Sequence, residues 1–418
     1  MRDRLNTPVP KVLAWDSSNK NAVKAEYIIM EKAKGVQLST KWPSMNFDQK
    51  VKTMKSIAKY QKAWADLSFS HIGSVYYTKD LKPDARAPIY IDETDSDVAD
   101  TRFSIGPILG RQWSDFEKAT LNCDRGPWTT SESYRRAMIE RDSQAVRTLH
   151  TLPKSTIMLC GPSLYRSTPE KKLRACEAAK EALPHILPEG DWTSAYRAWH
   201  DDLHEENIFV NAEDPSDIIA IIDWQSTFVA PLFDHVIIPG FLKHDGPPVI
   251  GMERPEPPEL DGLDVEEKSA ALQLYDQRVL VSGIKFLLQH TVKAAWEAQM
   301  YDESDDSTAL KACRNIYESG EGYCLMALAE RGESVFKFSE AEMESIKEDA
   351  QKIMESIGAM NVIKKGLEDL FPERGVVRLD QYDDAKAALR NAKAQVIENF
   401  SQSDEDRQAW EEAWPFDD

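Results

Sequence analysis

The residues best suited to chemistry lie between His200 and Trp224. The run Trp199-His200-Asp201-Asp202-Leu203-His204-Glu205-Glu206-Asn207 is followed, sixteen residues after Asn207, by Asp223 in Ile221-Ile222-Asp223-Trp224. Phosphoryl transfer to a hydroxyl needs a carboxylate beside the acceptor, to orient it and take its proton. It also needs hard oxygen ligands, fixed at separate points of a rigid frame, for Mg²⁺ that neutralises phosphate oxygens. Asp202 fits the base, and Asn207 and Asp223 fit the paired metal ligands. His200 fits an anchor that holds the loop by hydrogen bonds to backbone. An isolated Asp-Leu-His run is common in solvated loops, so the joint pattern carries the reading. A rival set, His200, Asp202 and His204 as ligands of a metallohydrolase, needs further histidines close by. Only His235 and His244 follow within fifty residues, and the spacing matches no usual zinc site.

Elements must hold these groups in place. Asn207–Val210 and Ile218–Ile222, joined through Asp214-Pro215-Ser216, read as a β-hairpin inside otherwise helical sequence. Two short strands, Lys11–Trp15 and Glu26–Met30, follow an extended X-Pro-X-Pro entry at Pro8 and Pro10. Phe47–Leu67 has helical spacing at Val51, Met54, Ile57, Ala58, Trp64 and Ala65, with Asn46 as its N-cap. A loop-rich stretch runs to about Thr130, and Ser131–Leu149 and Pro169–Ala182 read as helices. Beyond the linker Pro255–Pro258, amphipathic runs cover Val265–Met300, Ser339–Leu370 and Asp383–Phe400. No internal repeat is evident.

The pattern H-x-D-L-H-x-x-N followed by Ile-Ile-Asp-Trp resembles the aminoglycoside phosphotransferase and choline kinase superfamily, which shares the protein-kinase fold. The flanks are similar to a fungal branch, the altered inheritance of mitochondria phosphotransferase-like proteins. They are Pro8–Trp15, Glu26–Glu31, Gly73–Tyr77 and Ala230–Phe233, so the likeness spans residue 8 to about 245. It implies an α+β, protein-kinase-like fold, with the catalytic hairpin in a mainly helical C-lobe. It also implies ATP as phosphate donor with Mg²⁺ as cofactor, and Glu31, on the strand leading into the hinge, as a nucleotide-side residue. Residues 1–35 would be a remnant of the nucleotide-binding lobe and hinge, 36–400 the C-lobe, and 401–418 an acidic tail.

Such a fold also brings a Gly-rich strand pair over the phosphates and a lysine held by a helix glutamate. Here the first glycine is Gly35, and Lys11, Lys20 and Lys24 lack a lysine-strand context. Two expectations compete: a phosphotransferase whose lobe is cut short in this sequence, or a kinase-like binding protein without turnover. Asp201 stands where many relatives carry a small residue, often glycine. It is expected either to raise the proton affinity of its pair with Asp202 or to point outward.

The 418 residues are 42% hydrophobic and 29% charged, and the net charge of −20 argues against nucleic-acid or anionic-membrane partners. No window approaches the eighteen apolar residues of a membrane span. Five scattered cysteines suggest reduced thiols inside a cell, and the N-terminus lacks an apolar signal region. The resemblance implies a mitochondrial place, and the short N-terminus taken alone a cytoplasmic one. The expected acceptor is a small hydroxylated or cationic molecule. Asp302–Asp306 and Glu411-Glu412 could attract an amine, although acidic runs are usually solvated surface. Trp410 and Trp414 could cage a quaternary ammonium, but docking the tail is the better expectation.

Overall fold

Pro8 and Pro10 keep the entry extended, and the Pro8 carbonyl accepts a hydrogen bond from Ile221 N at 2.7 Å. β1 (Val12–Asp16) and β2 (Tyr27–Met30) then pair antiparallel, Asp16 opposite Tyr27, with an irregularity between Val12 and Ala14. This computed structural model describes every residue except 93–95, 150, 373–374 and 417–418. The described chain is α+β and divides into two compact units. One holds Met1–Gly110, Arg125–Ser131 and Pro188–Ser304; the other holds Arg111–Asp124, Glu132–Leu187 and Asp305–Asp418.

In the first unit β3 (Val36–Gln37) leads to α1 (Phe47–Asp66), and β4 (Ser74–Tyr77) pairs with β5 (Phe103–Gly106). β6 (Tyr196–Ala198), β7 (Ile208–Val210), β8 (Ile218–Ile221) and β9 (Val229–Pro231) follow. The expected hairpin is β7 with β8, and β3 adds a third antiparallel strand on β7. A two-residue strand is too short for a period-2 signal, so the sequence does not announce β3. β6 pairs with β9, an association that residue spacing does not reveal.

α1 begins with a reciprocal capping box between Asn46 and Gln49, as the Asn46 cap suggested. Its apolar stripe packs with α2 (Val265–Thr291) in a core that includes Met54, Ile57, Trp64, Trp199, Ile208, Ile221 and Ile284. Polar residues of α1 also fix the hairpin's surroundings. Thr53 Oγ1 donates to the Pro215 carbonyl at 3.3 Å, and Gln61 Nε2 donates to Ile237 O at 2.7 Å. The run Val265–Met300 is two helices: Val292 leaves helical geometry (φ −143°, ψ 71°) and α3 (Lys293–Asp302) restarts beyond it.

The second unit is helical. Pro169–Ile186 is longer than expected because Pro184 sits in its last turn, and Glu340–Leu367 and Tyr382–Phe400 match the amphipathic runs. Asp305–Ala312, Glu321–Arg331 and Asp404–Ala413 are additional short helices. Trp410 and Trp414 are buried with Leu159, Met360 and Val396, so they pack rather than line an open cage.

Gly35 enters β3 at φ +80°, and a Cβ there would lie 2.2 Å from the Val210 carbonyl oxygen. Gly251, at φ +56°, has no heavy atom within 4 Å of the same position. Both Gly→Ala changes meet the left-handed backbone, and only Gly35→Ala also pushes β3 off β7. Urea denaturation should show Gly35→Ala losing clearly more stability than Gly251→Ala, whose cost should stay near the ~1–2 kcal/mol of a left-handed residue.

Candidate functional site

Three tryptophans place the site. Trp64 of α1 is fully buried and meets Trp199 and Trp224 edge-to-face, at centroid distances of 5.4 and 5.2 Å. Trp199 immediately precedes His200, and Trp224 immediately follows Asp223. The His200 ring packs against Trp224 at 4.6 Å. One α1 side chain therefore fixes the two segments that carry the candidate residues.

Backbone bonds complete the arrangement. His200 is buried and its Nε2 donates to the Ile222 carbonyl at 2.8 Å, the backbone-anchoring contact its position suggested. Ile222 N donates to the Asn207 carbonyl at 2.9 Å, at the open end of the hairpin. Asn207 Nδ2 lies 3.0 Å from Asp202 O and 3.1 Å from His204 Nε2. Asp202 has a side chain 75% exposed, with Oδ2 3.6 Å from His204 Nε2. Asp223 is also exposed and holds φ +59°, a left-handed conformation that Asp adopts more readily than most residues. His200, Asp202, Asn207 and Asp223 are thus brought to one place.

Beside Asp223 lies a groove of about 830 Å³, lined by Val12, Trp15, Glu26, Ile28 and Met30 on one wall and by Ile222–Gln225 on the other. Trp15 is itself stacked on Tyr77, at 5.6 Å and 8°. Glu31 stands at the end of the ribbon, where it accepts from Lys11 N at 3.3 Å and faces Arg2 at 3.9 Å. It is not among the lining residues, whereas Trp15 and Glu26, to which the sequence assigned no site role, are.

Two groups behave differently from expectation. Asp201 neither crowds Asp202 nor points outward: it accepts from His235 Nδ1 and from Val236 N. His235 gives no local signal, because the contact joins residues 34 apart. The acidic run Asp302–Asp306 is largely engaged: within the first unit Glu303 pairs with Lys285, and within the second Asp305 and Asp306 pair with Arg331.

With its Nδ2 turned to Asp202 O and His204, Asn207 offers Oδ1 as a hard donor, and Asp223 offers a carboxylate. Two such oxygens suit Mg²⁺, which keeps water and phosphate oxygens as its other ligands. Among the described residues no group of three or more His, Cys, Asp or Glu could hold a metal ion, and His200 Nε2 of the rival ligand set is already bonded to the Ile222 carbonyl. Among them, too, no helix is long and apolar enough to cross a membrane.

The sequence profile of the phosphotransferase enzyme family (APH) matches residues 2–245. A subtelomeric hrmA-associated cluster protein of Aspergillus fumigatus is 29% identical over 297 residues, covering 64% of this chain and 56% of its own. The altered inheritance of mitochondria protein 9, mitochondrial, of Eremothecium gossypii is 26% identical over 276 residues, covering 60% of this chain and 43% of its own. The chain spans about half the length of these curated relatives. A solved structure from Ralstonia eutropha, described as an aminoglycoside phosphotransferase, is 15% identical and covers 76% of this chain and 78% of its own, with a TM-score of 0.30. The fold is the protein-kinase-like α+β fold of this phosphotransferase family, and the fungal relatives agree with the branch that the flanking residues resemble.

Burial holds the His200 imidazole below its ordinary range, against the opposing pull of the Ile222 carbonyl and of Asp202. The unfolded chain therefore takes up this proton first as pH falls. The contribution is fully present above about pH 6.5 and is lost as pH drops toward the lowered folded value. Replacing His200 with Gln, whose amide can still donate to Ile222 O, removes the titration. Chemical denaturation between pH 7.5 and 5 should show a shallower loss of stability in His200→Gln than in the parent; parallel curves would contradict the assignment.

Proposed function

The chain belongs to the phosphotransferase enzyme family, and from that premise we propose that it transfers phosphate from ATP, with Mg²⁺, to a hydroxyl of a small molecule. The observation that carries this reading is the linkage His200 Nε2–Ile222 O and Ile222 N–Asn207 O. It joins the loop of Asp202 to the strand end of Asp223 at the mouth of the groove. Asp202 is exposed, as a group that must meet an incoming hydroxyl has to be. It orients the acceptor and takes its proton, while the hydroxyl oxygen bonds to the terminal phosphorus and ADP leaves. Asn207 Oδ1 and the Asp223 carboxylate would hold Mg²⁺, which supplies neutralisation of the phosphate charge. His200 carries no proton in this scheme and keeps the loop on Ile222.

The apolar β1–β2 wall suits a nucleotide base, with the phosphates toward Asp223 and Glu31 on the nucleotide side of the hinge. In this reading residues 1–35 supply the nucleotide-side wall, 36–400 the catalytic lobe and 401–418 an acidic tail. The acceptor is a small hydroxylated molecule, with cationic ones the first to screen. The mitochondrial name of the Eremothecium relative supports a mitochondrial site of action.

Thermal unfolding with and without Mg-ATP tests the donor side. Ligand at about a hundred times its dissociation constant stabilises a fold by about 2.7 kcal/mol, a shift of a few degrees here. The shift should need Mg²⁺ and disappear in Asp223→Asn, a change that tolerates the left-handed backbone. Transfer from labelled ATP to a panel of hydroxylated amines and to water should be abolished in Asp202→Ala while the Mg-ATP shift persists. A shift without any transfer would identify a kinase-like binding protein instead; transfer that survives in Asp202→Ala would refute its role as base.

A further inference from the structure

Asp201 and His235 form a contact that the proposed chemistry does not use. The Asp201 carboxylate lies 2.9 and 3.1 Å from His235 Nδ1 and accepts from Val236 N at 3.0 Å. The other ring nitrogen, Nε2, is 3.0 Å from the carbonyl oxygen of Arg197 in β6. The ring thus bridges the loop carboxylate and a β6 carbonyl. The His235 side chain is fully buried, with the Phe228 ring 5.7 Å away, whereas the Asp201 side chain is one-third exposed. A carboxylate held this way by an imidazole and a backbone amide is a strong, directional contact.

The next residue is Asp202. Its exposed carboxylate has few contacts of its own, so its position derives from the backbone on either side. On the far side, His204 N and Asn207 Nδ2 both donate to the Asp202 carbonyl, each at 3.0 Å. On the near side, His200 anchors the loop on Ile222, and Asp201, directly beside Asp202, ties it to His235 and Val236. Its partner His235 is joined in turn to β6, whose pairing with β9 places Arg197 opposite Ala230.

We propose that Asp201 and His235 are positioning residues: a clamp joining the start of the catalytic loop to the β6–β9 ribbon, and thereby setting where the Asp202 carboxylate meets the acceptor. This rests on the phosphotransferase reading for the role of Asp202, but the clamp itself is a property of the loop. Neither residue lines the groove beside Asp223, so its loss acts on the base and leaves nucleotide binding intact.

The test uses the full chain, with Asp201→Ala, His235→Ala, the double variant and the conservative Asp201→Asn. Hydrogen exchange of the 199–207 segment reads the clamp, Mg-ATP thermal shift reads nucleotide binding, and Mg-ATP turnover with water as acceptor reads the base. Both alanine variants should speed exchange in 199–207 by roughly ten- to a hundredfold, as loss of a charge-assisted hydrogen bond implies. Turnover should fall in kcat by an amount on the order of a hundredfold, with the KM for Mg-ATP unchanged. The double variant should be no worse than the worse single one, because the two residues act as one contact. Asp201→Asn keeps an acceptor for Val236 N and His235, so it should restore most of the protection and of kcat.

Unchanged exchange in both alanine variants would overturn the clamp. Faster exchange with full turnover would overturn its role in placing Asp202. A KM effect equal to the kcat effect would overturn it too, since the damage would then reach the nucleotide. If the parent chain neither shifts nor turns over Mg-ATP, the phosphotransferase reading fails, and the exchange measurements still decide whether the clamp holds the loop.

Discussion

The packing of one indole ring underlies the rest of the site. Trp64 is fully buried and sits edge-on to both Trp199 and Trp224, and its Nε1 donates to Thr7 Oγ1 at 2.9 Å. Each edge-to-face pair contributes about 0.5–1.5 kcal/mol beyond the area it buries. The geometry matters more than the sum. Exposed groups such as Asp202 and Asp223 have little packing of their own, so they are placed by the buried residues beside them. Trp224 is that neighbour for Asp223, Trp199 leads into the buried His200 that anchors the Asp202 loop, and a single helix position ties the two tryptophans together.

Around that wedge the order is hierarchical. α1 is stabilised locally by its capping box and by the apolar stripe that meets α2. The β7–β8 hairpin is then fixed on α1 by Thr53, and its open end by the His200 and Ile222 bonds. Asp223 comes last, in a left-handed turn that costs of order 1–3 kcal/mol and persists because its flanks are already fixed. A carboxylate held in a sparsely populated backbone conformation at the mouth of a groove is a common mark of a functional position.

Much of this is legible in the sequence alone. The hairpin, α1 with its Asn46 cap and the β1–β2 ribbon all have local signals, namely alternation, helical spacing and turn residues. The spacing of Asp202, Asn207 and Asp223 is equally local, and the bonds of His200 and Ile222 bring their segments together. What stayed hidden is non-local. β3 is too short to show a period, and its place on β7 depends on Gly35 passing against Val210 O. Asp201 reads as a second carboxylate that either crowds Asp202 or points outward, since nothing near it in the chain indicates a histidine 34 residues on. Glu31 reads as a nucleotide-side residue from its place before the hinge, and its local partners, Lys11 N and Arg2, have no signature in the spacing.

The β1–β2 ribbon has a consequence for how the molecule behaves in solution. Among the described residues its strands pair only with each other, so each keeps an outer edge, and Val12, Leu13, Ile28 and Ile29 are all at least half exposed. Such an edge is a template for pairing between molecules. Three features oppose it: strands of only four and five residues, the irregularity beside Val12, and the mutual repulsion of chains that each carry a net charge of −20. The last of these weakens with ionic strength, since the Debye length shrinks from about 10 Å at 0.1 M salt to about 3 Å at 1 M. Colloidal stability in this protein is therefore an electrostatic property, greatest in dilute buffer and poorest in the concentrated salts used to precipitate or crystallise proteins.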